Sequence, residues 1–130
     1  MAGRKRREMA IIPTIRCSQI KASVEFYTKV LDFHRGDDDD LIDPAHVVLR
    51  RAGDVIFLSS HAGDGPFGTH VTVMTEDIEA LFAKFLAQGL VLPKRDSALH
   101  RGPIEQSWGT REFAVDDPDG NSLYFVQEPR

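Results

Sequence analysis

A single cysteine, Cys17, and a single tryptophan, Trp108, stand in a chain of 130 residues. One thiol cannot close an internal disulfide, so the fold must be held by its core, as expected in a reducing compartment. No apolar run approaches the ~20 residues needed to cross a bilayer. Aromatic residues make up 8% and charged residues 28%, which excludes the composition of a disordered chain, and 42% hydrophobic residues suffice for one core. The length fits one domain and falls short of two ordinary ones. The first nine residues carry Arg4, Lys5, Arg6 and Arg7 against Glu8, or +3, so the net charge of −4 leaves −7 for the remaining 121. A body of that sign repels phosphate backbones, and neither nucleic acid nor a membrane is expected as a partner. The basic stretch leads into no apolar h-region and no small-residue cleavage site, so it reads as a solvated tail, residues 1–9, on a cytoplasmic protein.

What is present is a repeated order of elements. Ala10–Cys17 is apolar and β-branched, and Ser18 is a good N-cap for a helix over Gln19–Leu31 with Ile20, Val24, Tyr27 and Leu31 on one face. Short strands are predicted at Phe33–Asp37, His46–Arg51 and Asp54–Ser60, the last two joined by a turn at Ala52-Gly53. After the glycine-rich connection His61–Gly68 the order recurs. A strand spans Thr69–Thr75, a helix capped by Thr75 runs through Gln88 to the stop at Gly89, and strands follow at Leu90–Pro93, Thr110–Asp116 and Asn121–Gln127. Asp117-Pro118-Asp119-Gly120-Asn121 closes the last hairpin. Shifting the first helix by 58 positions lays Ile20 on Ile78, Val24 on Phe82 and Tyr27 on Phe85. The chain therefore reads as an α+β protein of two βαβββ modules, about 10–60 and 69–128, in one domain over 10–130. Each module is too small to bury a good core alone, so the two must pack together or with another subunit.

Ser23-Val-Glu-Phe-Tyr-Thr-Lys-Val-Leu31, Trp108-Gly-Thr-Arg-Glu-Phe-Ala-Val115 and Asp117-Pro-Asp-Gly-Asn-Ser-Leu-Tyr-Phe125 together resemble the vicinal oxygen chelate superfamily. That group includes glyoxalase I, extradiol dioxygenases, fosfomycin resistance proteins and bleomycin resistance proteins. The stretch around Trp108 is most similar to the bleomycin resistance branch. The resemblance covers roughly Ile11–Glu128 and implies paired βαβββ modules whose strands curl into a curved mixed sheet with helices outside, usually completed in a homodimer. A shared fold does not by itself assign a reaction.

Metal-dependent members hold a cation with one side chain from the first strand and one from the last strand of each module. The resemblance maps these positions onto Ile12, Phe57, His70 and Tyr124. A divalent ion needs several converging oxygen or nitrogen donors, and here one imidazole stands with two hydrocarbons and a phenol. A slip of two residues brings Thr14 or Thr72 inward, and neither supplies a carboxylate or an imidazole. No cofactor and no metal are expected. His70 is retained as a pocket residue able to titrate near neutrality.

Strand alternation places Ile12, Thr14, Arg16, Phe57, Ser59, His70, Thr72, Met74, Tyr124 and Val126 on the pocket side, with Ile15, Ile56, Leu58, Val71, Val73, Leu123 and Phe125 beneath the helices. Cys17 shares the parity of Ile11 and Ile15 and is expected to be a buried, unreactive thiol. The acidic run Asp37–Asp40 with Asp43 lacks the spacing of a calcium loop and reads as a solvated loop. His61 and His100 are placed in loops, exposed and without spaced partners. Pro93–Gly109 is long for a connection and bounds the pocket. Trp108 in it offers either a stacking surface for a ligand or a packing surface for a neighbour, and Arg111 pairs with a ligand carboxylate or with Glu112 or Glu105. The candidate binding residues are therefore Ile12, Thr14, Arg16, Phe57, Ser59, His70, Thr72, Trp108, Arg111 and Tyr124, with no catalytic residue assigned. The function expected is metal-independent binding of a flat, cationic organic molecule such as an antibiotic, in a cavity associated with a homodimer. The alternatives are a metal-dependent lyase or isomerase of glyoxalase type acting through His70 and Tyr124, and an accessory subunit that uses its sheet only for association.

Overall fold

The computed structural model describes residues 9–129. The basic tail, apart from Met9, lies outside the described residues. Two modules of the same topology follow one another. In the first, β1 (Thr14–Arg16) leads through α1 (Ile20–Lys29) to β2 (His34–Arg35), β3 (His46–Arg51) and β4 (Asp54–Ser59), and the sheet order is β1-β4-β3-β2. In the second, β5 (His70–Met74) leads through α2 (Ile78–Ala87) to β6 (Ile104–Glu105), β7 (Arg111–Asp116) and β8 (Ser122–Gln127), in the order β5-β8-β7-β6. Each first strand runs parallel to the last strand of its module and the other pairs are antiparallel. This is the α+β arrangement of two βαβββ units expected from the repeat, and the two helices lie 58 residues apart at both ends.

Both helices bury one stripe on one sheet face. Ile20, Tyr27, Ile78 and Phe85 are fully enclosed, and with Ile15, Leu58, Phe113, Leu123 and Phe125 they form a single cluster that runs through both modules. The modules thus share one core, which neither could build from half the chain. Phe113 and Phe125 stack at 5.0 Å, and Phe85 meets each edge-on.

The helix starts differ from expectation. Ser18 does not cap α1; its hydroxyl donates to Asp119 at 2.6 Å, and the first helical amide, Ile20, donates to Asp43 at 2.9 Å. Thr75 does not cap α2; Asp77 does, accepting from Ala80 N–H, while Ile78 N–H donates to Gln127 at 2.9 Å. In each module the first helical amide is satisfied by a side chain distant in sequence, which orients the helix start as well as capping it. Asp43, read as part of a solvated loop, has this structural task.

Two further expectations are corrected. Leu90–Pro93 forms no strand; Leu90 packs on the core and donates its N–H to the Phe85 carbonyl at the end of α2, and Pro93 has no N–H to give a ladder. The edge position beside β7 is taken instead by Ile104 and Glu105, opposite Glu112 and Arg111. Ile11 is fully exposed, because regular pairing begins only at Thr14.

The last hairpin locks the modules together. Gly120, at φ 80°, takes the left-handed conformation that closes the Asp117–Asn121 turn. The buried Asp117 carboxylate accepts from Tyr27 Oη at 2.7 Å, from Asn121 Nδ2 at 2.9 Å and from the amides of Asp119 and Asn121. Asn121, with no exposed surface, accepts from the amides of Gly68 and Thr69 and donates to the Arg16 carbonyl. Burial and the neighbouring Asp117 charge push the Tyr27 phenol far above its ordinary range, so it stays a donor at any physiological pH. Tyr27→Phe removes one charge-assisted bond and leaves a buried carboxylate short of a partner. It is expected to lower unfolding free energy by about 1–3 kcal/mol in urea denaturation, and a loss below a few tenths would refute this role for the pair.

Candidate functional site

Strand register assigns every side chain to a face. On the side away from the helices, the first sheet presents Thr14 and Arg16 from β1, Val55, Phe57 and Ser59 from β4, and His46, Val48 and Arg50 from β3. The second presents His70, Thr72 and Met74 from β5, Ser122, Tyr124 and Val126 from β8, Glu112, Ala114 and Asp116 from β7, and Ile104 from β6. These helix-free faces bring together most of the residues expected to line a pocket.

The second face has an aromatic centre. The His70 and Tyr124 rings stack at 4.1 Å with planes 27° apart. Thr72, opposite Tyr124, is exposed, as is Met74 beside it. The first face is built alike: Phe57 lies opposite Thr14, and the His46 ring meets Phe57 edge-on at 4.7 Å. Ile12 lies just before β1, partly buried. The end of this face is closed by the glycine-rich connection. Ser59, fully buried, donates to Asp64 at 2.7 Å, and the Arg16 guanidinium donates to the Gly65 carbonyl and sits 4.7 Å from the Phe67 ring centroid.

Two of the candidate residues stand apart. Arg111 shares the parity of the buried Phe113 and Val115 and so lies on the helix side, where it pairs with Glu79 of α2 and donates to the Pro103 carbonyl at 3.1 Å. It pairs with neither Glu112 nor Glu105. Trp108 is 66% exposed on the β6–β7 turn, outside the shared core.

The helix-free face also carries polar residues not anticipated. Glu112 is buried on it, opposite Val126, and accepts from Thr110 Oγ1 at 2.6 Å; among the described residues no cation pairs with it. With Phe113 and Val115 committed to the core, alternation alone would have placed Glu112 here. His100 is not an exposed loop residue. It is buried, with Nδ1 2.7 Å from Ser97 Oγ and Nε2 3.0 Å from Asp116, which also binds Arg95 at 2.6 Å and Ser122 at 3.1 Å. Its partner Asp116 is 16 residues away, a relation that sequence spacing does not reveal. This network ties the long 93–109 segment to the floor of the face.

The donor chemistry for a metal is poor. At the positions implied by the resemblance, His70 is the single strong donor, and Tyr124 is engaged in stacking with it. Ile12 and Phe57 offer none. Among the described residues no three His, Cys, Asp or Glu side chains gather where they could hold an ion. These residues do not fit a divalent cation.

The sequence profile of the Glyoxalase/Bleomycin resistance protein/Dioxygenase superfamily matches residues 11–125. Comparison with curated proteins returns no match. Among solved structures, a bleomycin resistance determinant encoded on transposon Tn5 is similar with a TM-score of 0.72 at 20% identity, over 92% of this chain and 98% of that one. A bleomycin-binding protein complexed with bleomycin gives 0.71 at 20% identity over the same shares. TnmS3, an antibiotic-binding protein from Streptomyces sp. CB03234, gives 0.71 at 19%, over 95% and 99%. At these identities the likeness is one of fold. Among the described residues no helix is long and apolar enough to cross a membrane.

Two titrations follow from these surroundings. Burial pushes the Cys17 thiol up to about 11; a bond to Ser23 opposes this, and the charges of Asp119, Asp43 and Asp117 add to it. At pH 8 the folded protein is expected to react with an aromatic disulfide reagent at least 100-fold more slowly than in denaturant, and equal rates would rule out this environment. Burial alone would raise the Asp116 carboxyl, but the bonds from His100 and Ser122 and the charge of Arg95 together hold it below its ordinary 3.8. A lowered folded value contributes stability that is present above about pH 4 and lost as pH falls through that range. Asp116→Asn should therefore flatten the fall in unfolding free energy between pH 5 and 3; an unchanged slope would contradict the assignment.

Proposed function

Because the chain belongs to the Glyoxalase/Bleomycin resistance protein/Dioxygenase superfamily, we propose that its helix-free faces bind a flat organic molecule carrying a cationic group, without a metal and without altering it. The observation that carries this reading is the stacked His70–Tyr124 pair, standing where a metal-dependent relative would need donors. Stacked rings on an apolar floor hold planar guests through area and quadrupole, and they polarise nothing. Thr72 adds a hydroxyl beside the rings, and Phe57, with Ile12 and Thr14, gives the first module a second aromatic wall.

Glu112 supports a cationic guest. A carboxylate buried among Val126, Ala114 and Ile104 and bonded, among the described residues, only to Thr110 gains from a positive partner in a low-dielectric setting. Trp108, exposed on the β6–β7 turn at the Glu112 end of the sheet, is available to fold over such a guest. Arg16 and Ser59 hold the connecting loop at the rim of the first face, and Arg111 braces α2 against β7 from the other side. We further propose a homodimer in which the helix-free face of one module is completed by a module of the second copy. Sequestration is the mechanism: the guest is removed from solution and released unchanged.

Titration with bleomycin as probe, followed by Trp108 fluorescence, tests this. Chelator-treated protein is expected to bind as tightly as untreated protein, and mass spectrometry to recover the compound intact. Glu112→Gln should weaken binding about tenfold, or ~1.4 kcal/mol, with the fold kept. Stoichiometric tightly bound metal that is lost in His70→Ala, or chemical conversion of the guest, would replace this reading with an enzyme of glyoxalase type.

A further inference from the structure

A cavity lined from both faces of the sheets lies between the two modules. It runs along the seam where β5 meets residues 10–13 and the start of β4, with a volume of about 490 Å³. That is within the ~300–1,000 Å³ span of small-molecule sites. Its walls include Ile12, Pro13, Phe33, Ile56, Val71 and Val73. Phe33, Ile56, Val71 and Val73 also touch or belong to the core, while Val55, Thr72 and Met74 line the cleft from the helix-free side, so it passes between the two sheets.

One cation stands in this apolar setting. Arg51 ends β3, before the Ala52-Gly53 turn whose positive φ angles of 50° and 88° reverse the chain into β4. Arg50 faces the helix-free side. Arg51 has the opposite parity, shared with Val47 and Leu49, and reaches the seam. Its Nε is enclosed from solvent with no hydrogen-bond partner, and among the described residues its guanidinium makes no hydrogen bond or ion pair. Arg16 and Arg35 also have an enclosed, unpartnered Nε, but each uses its terminal nitrogens, Arg16 on the Gly65 carbonyl and Arg35 on Asp37 and the Asp39 carbonyl. Arg51 differs from both. Asp54, across the turn, also lines the cleft, and Glu76, Asp77 and Lys84 border the crevice on the other side of Arg51; none of the three acids is within ion-pair distance of it.

A guanidinium whose Nε donor is shut from water and left unmade costs free energy, and a planar fork is suited to a carboxylate taken in two parallel bonds. We propose that the seam cleft is a binding site for a small monocarboxylate with an apolar tail. The carboxylate is held by Arg51, and the tail lies against Ile56, Val71 and Val73. The cleft shares Ile12 and Thr72 with the site assigned to a cationic guest, but it has its own anchor in Arg51 and a ligand of opposite charge.

Octanoate, octanol and octylammonium are the probes, titrated into the full chain while isoleucine and valine methyl resonances are followed by NMR. Octanoate is expected to shift Ile56, Val71 and Val73 saturably and to bind at least tenfold more tightly than octanol. Arg51→Met should erase that preference while octanol still binds, and an unchanged amide spectrum elsewhere shows that the variant is folded. Equal binding of acid and alcohol overturns the proposal, as does an Arg51→Met protein that keeps the preference. Tightest binding of octylammonium would make Asp54 the anchor and also overturn it. Glu112→Gln should leave octanoate binding unchanged, so the Arg51 anchor stands or falls independently of the first site.

Discussion

A single buried carboxylate organises the molecule. Asp117 collects a phenol, a carboxamide and two backbone amides in the shared interior, and an anion in that setting is tolerated only with all its lone pairs engaged. Its donors come from both modules. Tyr27 belongs to the first helix, Asn121 to the last hairpin, and Asn121 passes the constraint on to the start of β5 and the end of β1. Asp119 adds Ser18 just before that helix and Ser23 on it, and Lys84 of α2 reaches Asp32 beyond its end. The relative placement of the two sheets, and hence of their helix-free faces, rests on this cluster more than on any hydrophobic contact, because apolar packing is not directional and these bonds are.

Much of the framework was legible from the residues. The 58-residue shift located both helices because Ile20, Tyr27, Ile78 and Phe85 are constrained by one core, and period-two alternation sorted Ile15, Leu58, Leu123 and Phe125 from Phe57, His70 and Tyr124 because each sheet has one covered face. What was not legible depended on partners far apart in sequence. Ser18 and Thr75 have the chemistry of caps, yet Asp43, Gln127 and the local Asp77 satisfy the helix starts. Leu90–Pro93 has the composition of a strand, but the helix end claims Leu90 first. His100 carries no mark in the sequence of the Ser97 and Asp116 that hold it.

The two helix-free faces are similar in plan and unlike in charge. The first bears Arg16, Arg50 and His46; the second bears Glu112 and Asp116 beside His70. Asp116 is paired with Arg95, whereas among the described residues no cation pairs with Glu112. A pair of such faces set against one another attracts across the gap and offers a guest one aromatic wall of each sign. On the reading proposed above, selectivity rests on which charge lacks a protein partner, and not on the fold, which does not by itself assign a function.

The glycine-rich connection has a different standing from the hairpin clasp. Gly63, Gly65 and Gly68 all adopt positive φ, in a stretch that spans the modules by the surface while Tyr27, Asp117 and Asn121 join them through the interior. Covalent continuity between the halves is thus not what keeps them in register. A backbone cut between Gly63 and Gly65 is expected to leave the interior bonds among Tyr27, Asp117 and Asn121 in place.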